Sequence, residues 1–138
     1  MRGPNSFFLE LGDSLIEVLQ HQIRYGMHWG HKIFHKEGPI EVTRAEYNEA
    51  FGVESPDPPV IPDAAIHVWE WWWQLSSRRS SGYDSTPPIS YSEIYHWSIL
   101  TQTQISPTEI EIIVRLDDAY IRAVATERSE QRAREKST

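Results

Sequence analysis

Hydrophobic side chains recur at helical spacing near the start of the chain, directly after residues that can cap a helix. This pattern predicts a helix from about Asp13 to Lys36. Gly26 and Gly30 weaken the second half of that helix, and Gly38 with the proline after it ends the helix. The apolar positions that define its first part are Leu15, Ile16, Leu19 and Ile23.

A short helix and a proline-rich segment follow. Thr43 and Glu46 have the spacing of a capping box, in which each side chain bonds to the backbone N–H of the other residue, and the apolar Tyr47 and Phe51 come next. The segment 54–62 holds four prolines in nine residues. Because proline removes a backbone donor and disfavours helix in the residue before it, this segment is predicted to be an extended linker and a domain boundary.

The next helix, predicted from about Asp63 to Arg79, carries four of the six tryptophans within five residues. At 3.6 residues per turn, Trp69, Trp72 and Trp73 share one face, whereas Trp71 lies roughly opposite. Core packing is expected for the first three. Trp71 is harder to bury, and interfaces are enriched in tryptophan, so it is the best single candidate for a contact with a partner protein.

Two further helices have clear start signals, after a loop that composition predicts at 80–88. Each begins with a serine cap, a glutamate three residues later, and isoleucines at the positions of a hydrophobic staple. These signals predict helices over 91–103 and 107–126, the second with proline in its first position. The pairs are Ser90 with Glu93 and Ile89 with Ile94, then Ser106 with Glu109 and Ile105 with Ile110.

The last of these helices has an apolar stripe that stops before the end of the chain. From about Glu127 onwards the residues are mostly charged and there is nothing to bury. A frayed, solvated helix or a disordered tail is therefore expected there. The stripe consists of Ile110, Ile113, Val114, Tyr120, Ile121 and Val124.

No strand and no internal repeat is predicted, so the expected fold class is all-α. The architecture would be a small bundle of about four to five helices with the proline-rich linker in the middle. The predicted organisation is an N-terminal helical region of unknown role (1–53), the linker (54–62), a three-helix domain (63–126) and a charged tail (127–138).

Composition narrows the classes of function. The 138 residues suffice for one domain with a real core, and no apolar run approaches the roughly 20 residues that span a bilayer. The first residues do not have the pattern of a signal peptide. The absence of cysteine excludes disulfides and thiolate metal sites and suits a cytosol. A net charge of −7 is opposite to the basic footprint of a nucleic-acid binder.

Histidines in the first predicted helix raise the question of a metal site. His28, His31 and His35 would share a face if that helix continued through them, and His21 lies one heptad earlier. Imidazole suits zinc, copper and nickel. However, no carboxylate lies at ligand spacing and the HExxH pattern is absent. Solvated histidines are the favoured interpretation, and a metal site is the alternative.

Asp117 projects near the middle of the apolar stripe of the last helix. A catalytic acid or base would need a nucleophile, a second carboxylate or a histidine at known spacing, and the sequence offers none. A buried carboxylate must be hydrogen-bonded or neutralised. We therefore expect a structural role, with donors from a tryptophan N–H, from the hydroxyl of Tyr91 or Tyr95, or from backbone N–H groups at the Ser90 cap.

The last two predicted helices also have the layout of a helix-turn-helix. The second would be the recognition helix, but it begins with Glu109 and Glu111, which would repel phosphates. Arg78 and Arg79 form the only compact basic spot outside the tail. DNA binding is therefore disfavoured.

The stretch from Pro62 to Val124 resembles the small tail assembly chaperones of long-tailed (siphovirus-type) phages and prophages. That family shows an aromatic-rich helix ending in arginine, a helix start of the form proline–isoleucine–serine with a later tryptophan, and a closing leucine–aspartate and alanine–tyrosine. The resemblance covers somewhat under half of the chain, and no feature of residues 1–61 is identified that resembles the family. The matching positions are Trp69, Trp73, Leu75, Arg78 or Arg79, Pro88, Ile89, Ser90, Ile94, Trp97, Leu116, Asp117 and Tyr120.

The resemblance implies a non-enzymatic protein without cofactors, acting in the cytoplasm of the bacterial host. Such chaperones bind the tape-measure protein and recruit tail-tube subunits, and in many phages the relevant domain is the downstream half of a frameshift product. The chain is therefore a complete chaperone, such a downstream domain, or a virion component. The alternatives are a neck or tail component of the particle and a host-directed adaptor; neither a nucleic acid nor a membrane is an expected partner.

Two sets of residues follow from these arguments. The set predicted to bind a partner is Trp71, Trp72, Leu75, Arg78 and Arg79. The set predicted to be structural is Trp69, Trp73, Ser90, Ile94, Trp97, Asp117 and Tyr120.

Overall fold

The computed structural model describes residues 4–79 and 86–137, so most of the predicted loop at 80–88 lies outside the described residues. None of the helices in these two ranges is long and apolar enough to cross a membrane. The elements are α1 (Pro4–Gly26), β1 (His28–His35), β2 (Gly38–Thr43), α2 (Arg44–Ala50), a single 3₁₀ turn (Asp63–Ala65), α3 (Ile66–Ser77), α4 (Tyr91–Leu100) and α5 (Pro107–Lys136).

The all-α prediction is wrong, because β1 and β2 pair as an antiparallel hairpin. Of the residues that the structure describes, 66% are helical, and the fold is mixed α/β. The first helix ends at Gly26, and the residues after it are buried with period two: Trp29 and His31 face inwards. Gly30 has a φ of +78°, which glycine adopts without strain. The second glycine of the predicted helix therefore bends a strand instead of weakening a helix.

The three histidines do not share a helix face, because the helix predicted to continue through them ends at Gly26. His28, His31 and His35 lie on β1, with an irregularity in the strand pairing between the first two of them. His31 is buried, whereas the other two are exposed. Within the described residues, no group of three histidine, aspartate or glutamate side chains could hold a metal ion.

One hydrophobic core joins the parts of the chain on either side of the proline-rich segment. Helix α1 packs along α5, and α3 packs against α5 beside it. The core cluster runs from Leu11 in α1 to Val124 in α5. Its largest fully buried side chains are Trp72, Leu15, Leu19, Ile23, Ile113 and Leu116.

The charged composition predicted that the last helix frays from about Glu127 onwards. Instead, α5 continues to Lys136. Glu127 is only 2% exposed. Its two carboxylate oxygens accept hydrogen bonds from Arg24 Nη1 at 2.7 Å and Arg44 Nη2 at 2.9 Å. Glu127 is therefore a buried charged residue that joins the C-terminal part of α5 to α1 and α2, because its charge is paired with an arginine from each of them.

The predicted helix starts are confirmed at all three capping boxes. Thr43, Ser90 and Ser106 each accept a hydrogen bond from the backbone N–H of the glutamate three residues later, and each glutamate bonds back to the cap. These bonds satisfy donors that a helix N-terminus leaves free. They position α4 and α5, the two helices that carry the surface described next.

Candidate partner-binding surface

Helix α4 turns most of its apolar side chains outwards. Ile94 is its one buried residue, while four large side chains are at least 58% exposed. Three of them are spaced by four residues and form a stripe along one side of the helix. Glu93 is the only residue of the helix with a full charge at neutral pH, so the stripe is uncharged. The exposed side chains are Tyr91 (70%), Tyr95 (61%), Ile99 (58%) and Leu100 (83%).

This stripe continues into a groove beside the N-terminus of α5. The groove has a volume of about 590 Å³ and its apolar walls are Tyr91, Pro107, Ile110 and Val114. We call the combined area the α4–α5 apolar surface. It consists of Tyr91, Tyr95, Ile99 and Leu100 of α4 with Pro107, Ile110 and Val114 of α5.

A second groove extends the surface towards α1. Its volume is about 350 Å³, and Phe8 and Leu9 of α1 form its far wall. The two grooves share Pro107, Glu111 and Arg115 as lining residues, so they are neighbours on the same side of α5. Arg115 is held by an ion pair with an aspartate of α1, Asp13. The protein thus presents a long apolar path with one acidic and one basic side chain in its middle.

Ile94 and Trp97 are the residues of α4 that pack against the core. The Trp97 ring lies edge-on to Trp71 with the centroids 5.9 Å apart, and its Nε1 donates to Gln74 Oε1 at 3.3 Å. Trp71 also contacts the His67 ring at 4.9 Å and is half-buried. His67 and Trp97 therefore cover much of the Trp71 ring, which the helical wheel placed on the side opposite the other tryptophans of α3.

Trp73, predicted to be structural, is the most exposed of the tryptophans at 38%. Its ring still makes edge contacts with Trp69 and Trp72. The buried face of α3 is Val68, Trp69, Trp72 and Leu75. The buried face thus includes Val68 and Leu75 and leaves Trp73 at its edge.

Trp72 and Leu75 cannot belong to a partner-binding surface in this structure, although the sequence suggested it. Trp72 has no exposed surface and Leu75 is 8% exposed. The Trp72 ring packs against Tyr120 at 5.2 Å, and its Nε1 donates to Asp117 Oδ1 at 3.2 Å. Both rings of this contact are therefore part of the core that supports α3.

Asp117 is 3% exposed and accepts hydrogen bonds from three residues. Besides Trp72, they are the backbone N–H of Ile89, at 2.9 Å, and the guanidinium of Arg79, which forms an ion pair with it. The tryptophan and backbone donors are of the expected kind, whereas the hydroxyls of Tyr91 and Tyr95 are not used. With both oxygens occupied, this carboxylate has the environment of a structural ion pair and not of a catalytic base.

Arg79 is a structural residue in this arrangement, which sequence reasoning missed. Its side chain is 8% exposed, its Nη1 donates to Pro87 O at 2.6 Å, and its guanidinium lies 4.9 Å from the centre of the Tyr120 ring. Arg78, by contrast, is exposed. The two neighbouring arginines therefore have different roles, which identical residue types do not reveal.

The exposed side of α4 was also missed. The signal was present in the sequence, because the ten residues of α4 have apolar side chains in every direction and a single charge. Such a helix is either surrounded by other elements or left partly uncovered. Tyr91 and Tyr95 were instead interpreted as donors to Asp117.

Comparison with known proteins gives one finding. A family model described as phage tail assembly chaperone matches residues 46–122, more than half of the chain. The match runs from α2 through the proline-rich segment to the middle of α5, and so contains the whole α4–α5 apolar surface. No curated protein and no solved structure is similar enough to this chain to count as a match.

Proposed function

Because the chain belongs to the phage tail assembly chaperone family, we propose that it binds the tape-measure protein, tail-tube subunits or both while the tail assembles. It acts without catalysis, in the cytoplasm of the infected bacterium. Its task is to cover apolar segments of these proteins until they reach their places in the tail.

The α4–α5 apolar surface is the observation that carries this proposal. Exposed apolar patches on monomeric proteins commonly mark interaction sites. Burial of apolar area contributes about 25 cal/mol per Å², so a stripe of tyrosine, isoleucine and leucine offers a substantial gain to a partner that covers it. All residues of the surface lie within the part that matches the family.

The shape and charge of the surface favour one kind of partner segment. The stripe on α4 follows a helix and is uncharged, and the groove beside it is bounded by α5. The apolar face of an amphipathic helix fits such a surface, with its own anchors three or four residues apart. A segment of this kind in a tail protein is the proposed ligand.

Two residues of the sequence-based partner set remain in this proposal. Trp71 is half-buried and touches α4 through Trp97, so it lies beside the proposed surface. Arg78 is exposed at the end of α3 and is available to a partner. Trp72, Leu75 and Arg79 are not included because they are buried.

Co-expression with the tape-measure gene product tests the proposal. The unaltered chain should keep that protein soluble and co-purify with it. The double variant Tyr95→Gln/Ile99→Gln should lose the complex and keep its thermal stability, because both side chains are exposed. Val53→Gln/Val60→Gln is the matched control, since these two valines are exposed outside the surface (54% and 85%). A complex that survives the α4 variant would refute the proposed surface.

Purified virions separate this function from a structural role in the particle. A chaperone should be absent from them, whereas a neck or tail component would be recovered at fixed stoichiometry. Recovery of this protein in purified virions at fixed stoichiometry would refute the chaperone function and favour a structural role in the virion.

A further inference from the structure

A ridge of three side chains separates the two grooves beside the first turns of α5. Pro107, Glu111 and Arg115 follow one another at intervals of four residues, so they lie along one side of the helix. Each of them lines both the groove beside α4 and the groove beside α1. A segment seated in either groove therefore lies against this ridge, and a helix that covers both grooves crosses it.

Arg115 is one of the two charged residues that line these grooves, and its guanidinium is held on α1. Its Nη2 donates to Asp13 Oδ1 at 2.5 Å. A Cβ at Gly12 would stand only 2.5 Å from its Nη1, so the absence of a side chain there lets the arginine lie directly on the backbone of α1. The positive charge of the ridge is therefore already compensated within the protein.

Glu111 is the other charged residue, and its carboxylate has no counterpart. The side chain is exposed and makes no hydrogen bond or ion pair with any residue that the structure describes. Glu109, in the first turn of the same helix, differs in this respect. It completes the Ser106 capping box and accepts a hydrogen bond from His67 Nε2 at 2.7 Å. The uncompensated charge in the middle of the apolar path is therefore negative.

A partner segment changes the environment of this carboxylate. While the grooves are open, water solvates Glu111 and no protein partner is needed. A helix that fills the grooves removes that water, and a covered carboxylate without a partner is strongly unfavourable. A lysine or arginine of the helix removes the penalty, because its aliphatic stem packs on the apolar walls while its charged end reaches the carboxylate.

We propose that the segment bound by the α4–α5 apolar surface carries a lysine or arginine within its apolar face, placed to pair with Glu111. This inference rests on the proposed function, because it specifies the partner of the same surface. The ligand class is an amphipathic helix whose apolar anchors flank one cationic residue. The same carboxylate disfavours a helix with an acidic residue at that position, which gives the surface a means of selecting among apolar segments.

Titration of the full chain with three peptides tests the proposal. The probe is acetyl-Gln-Leu-Ala-Gln-Leu-Leu-Ala-Gln-Lys-Ala-Gln-Leu-Leu-Gln-amide, whose lysine lies in the middle of the leucine face of a helix. The matched probes carry glutamine or glutamate in place of that lysine. By calorimetry the lysine peptide should bind about fivefold more tightly than the glutamine peptide, as for a strong exposed ion pair, and the glutamate peptide should bind most weakly. Equal binding of all three peptides, or no binding of any, would overturn the proposal.

Variants of Glu111 locate the preference on this residue. Because the side chain is exposed, Glu111→Gln and Glu111→Lys should both fold. The first should bind the lysine and glutamine peptides equally, and the second should prefer the glutamate peptide. Glu49 is exposed on α2 and lines neither groove, so Glu49→Gln is the matched control and should keep the fivefold preference. A preference for lysine that persists in Glu111→Gln would refute the assignment.

The outcomes separate this inference from the proposed function. If co-expression gives no complex with the tape-measure protein while the peptides show a preference that depends on Glu111, the proposed function fails and the selectivity of the surface stands. If that complex forms but Glu111→Gln binds the tape-measure protein as tightly as the unaltered chain or more tightly, the inference fails and the proposed function stands.

Discussion

Helices α4 and α5 begin with the same serine–glutamate capping box, but they differ completely in what they bury. Helix α4 is rich in apolar residues and buries only Ile94. Helix α5 is much more polar, yet it buries seven residues, among them Asp117 and Glu127. The comparison teaches that a cap determines where a helix begins, whereas the surrounding elements determine which of its side chains are covered. In this protein the apolar helix is the exposed one.

The largest expected effect comes from the buried charge of α5. Asp117→Ala would leave the Arg79 guanidinium buried without a counter-charge, which costs about 3–5 kcal/mol of unfolding free energy. Urea denaturation measures this value. The next residue, Asp118, is exposed. Asp118→Ala should therefore change the free energy of unfolding by less than about 0.5 kcal/mol. A similar small effect for both would mean that the Asp117 ion pair does not hold α3 and α5 together.

Matched isoleucine truncations compare the two helices directly. Ile113→Ala removes a fully buried side chain of α5 and should cost about 2–5 kcal/mol. Ile99→Ala removes a side chain of α4 that is 58% exposed, and should cost less than about 0.5 kcal/mol. Equal losses in urea denaturation would show that α4 is covered in solution, which would contradict its proposed availability to a partner.

The end of α5 provides a third test. Glu127→Ala removes the acceptor shared by Arg24 and Arg44 and should cost about 2–3 kcal/mol. Glu130→Ala removes a carboxylate whose side chain is 42% exposed, and should cost less than about 1 kcal/mol. Circular dichroism before and after substitution reports whether the last turns stay helical. Full helicity and unchanged stability in the Glu127 variant would restore the expectation of a solvated tail.

The smallest effect concerns His31 and pH. Its pKa is lowered from 6.5 in the folded protein, so the unfolded chain takes up the proton first as the pH falls. Stability is therefore complete above about pH 6.5 and decreases as the pH falls through the interval between the unfolded and folded values. Unfolding free energies at several pH values from 7.5 to 5 measure this slope. His31→Gln should reduce it, and an unchanged slope would assign the dependence to other groups.

Capping boxes in the sequence were sufficient to predict the starts of three helices, whereas the first helix begins at Pro4 and not at the predicted Asp13. The boxes at Thr43, Ser90 and Ser106 involve residues three positions apart, so they can be identified without knowledge of the fold. The resemblance to tail assembly chaperones also rested on residues in order along the chain, and the family match confirms it. These features of the fold were predictable because each is complete within one short segment.

The features that were missed depend on contacts between distant segments. The hairpin escaped prediction because one of the two buried positions that alternate in β1 is a histidine, so the sequence shows no alternation of apolar and polar residues there. Glu127 lies 103 and 83 positions from the arginines that bury it. The ten residues of α4 indicate that one neighbour cannot cover all of its apolar side chains, but which of them stay exposed depends on where the neighbouring elements lie. A candidate surface of this kind can be recognised only after the elements are assembled.

Because α1 packs along α5, the region that matches the family is smaller than the region that shares one hydrophobic core. The family match ends at residue 122, part-way along α5, and excludes α1 altogether. Yet Leu15, Leu19 and Ile23 of α1 belong to the same core as Ile113 and Leu116 of the matched region. A fragment cut at the limits of the family would expose that flank of α5 to water. The scaffold that carries the α4–α5 apolar surface thus includes the unmatched N-terminal part, which contributes six of the seventeen residues of the core cluster.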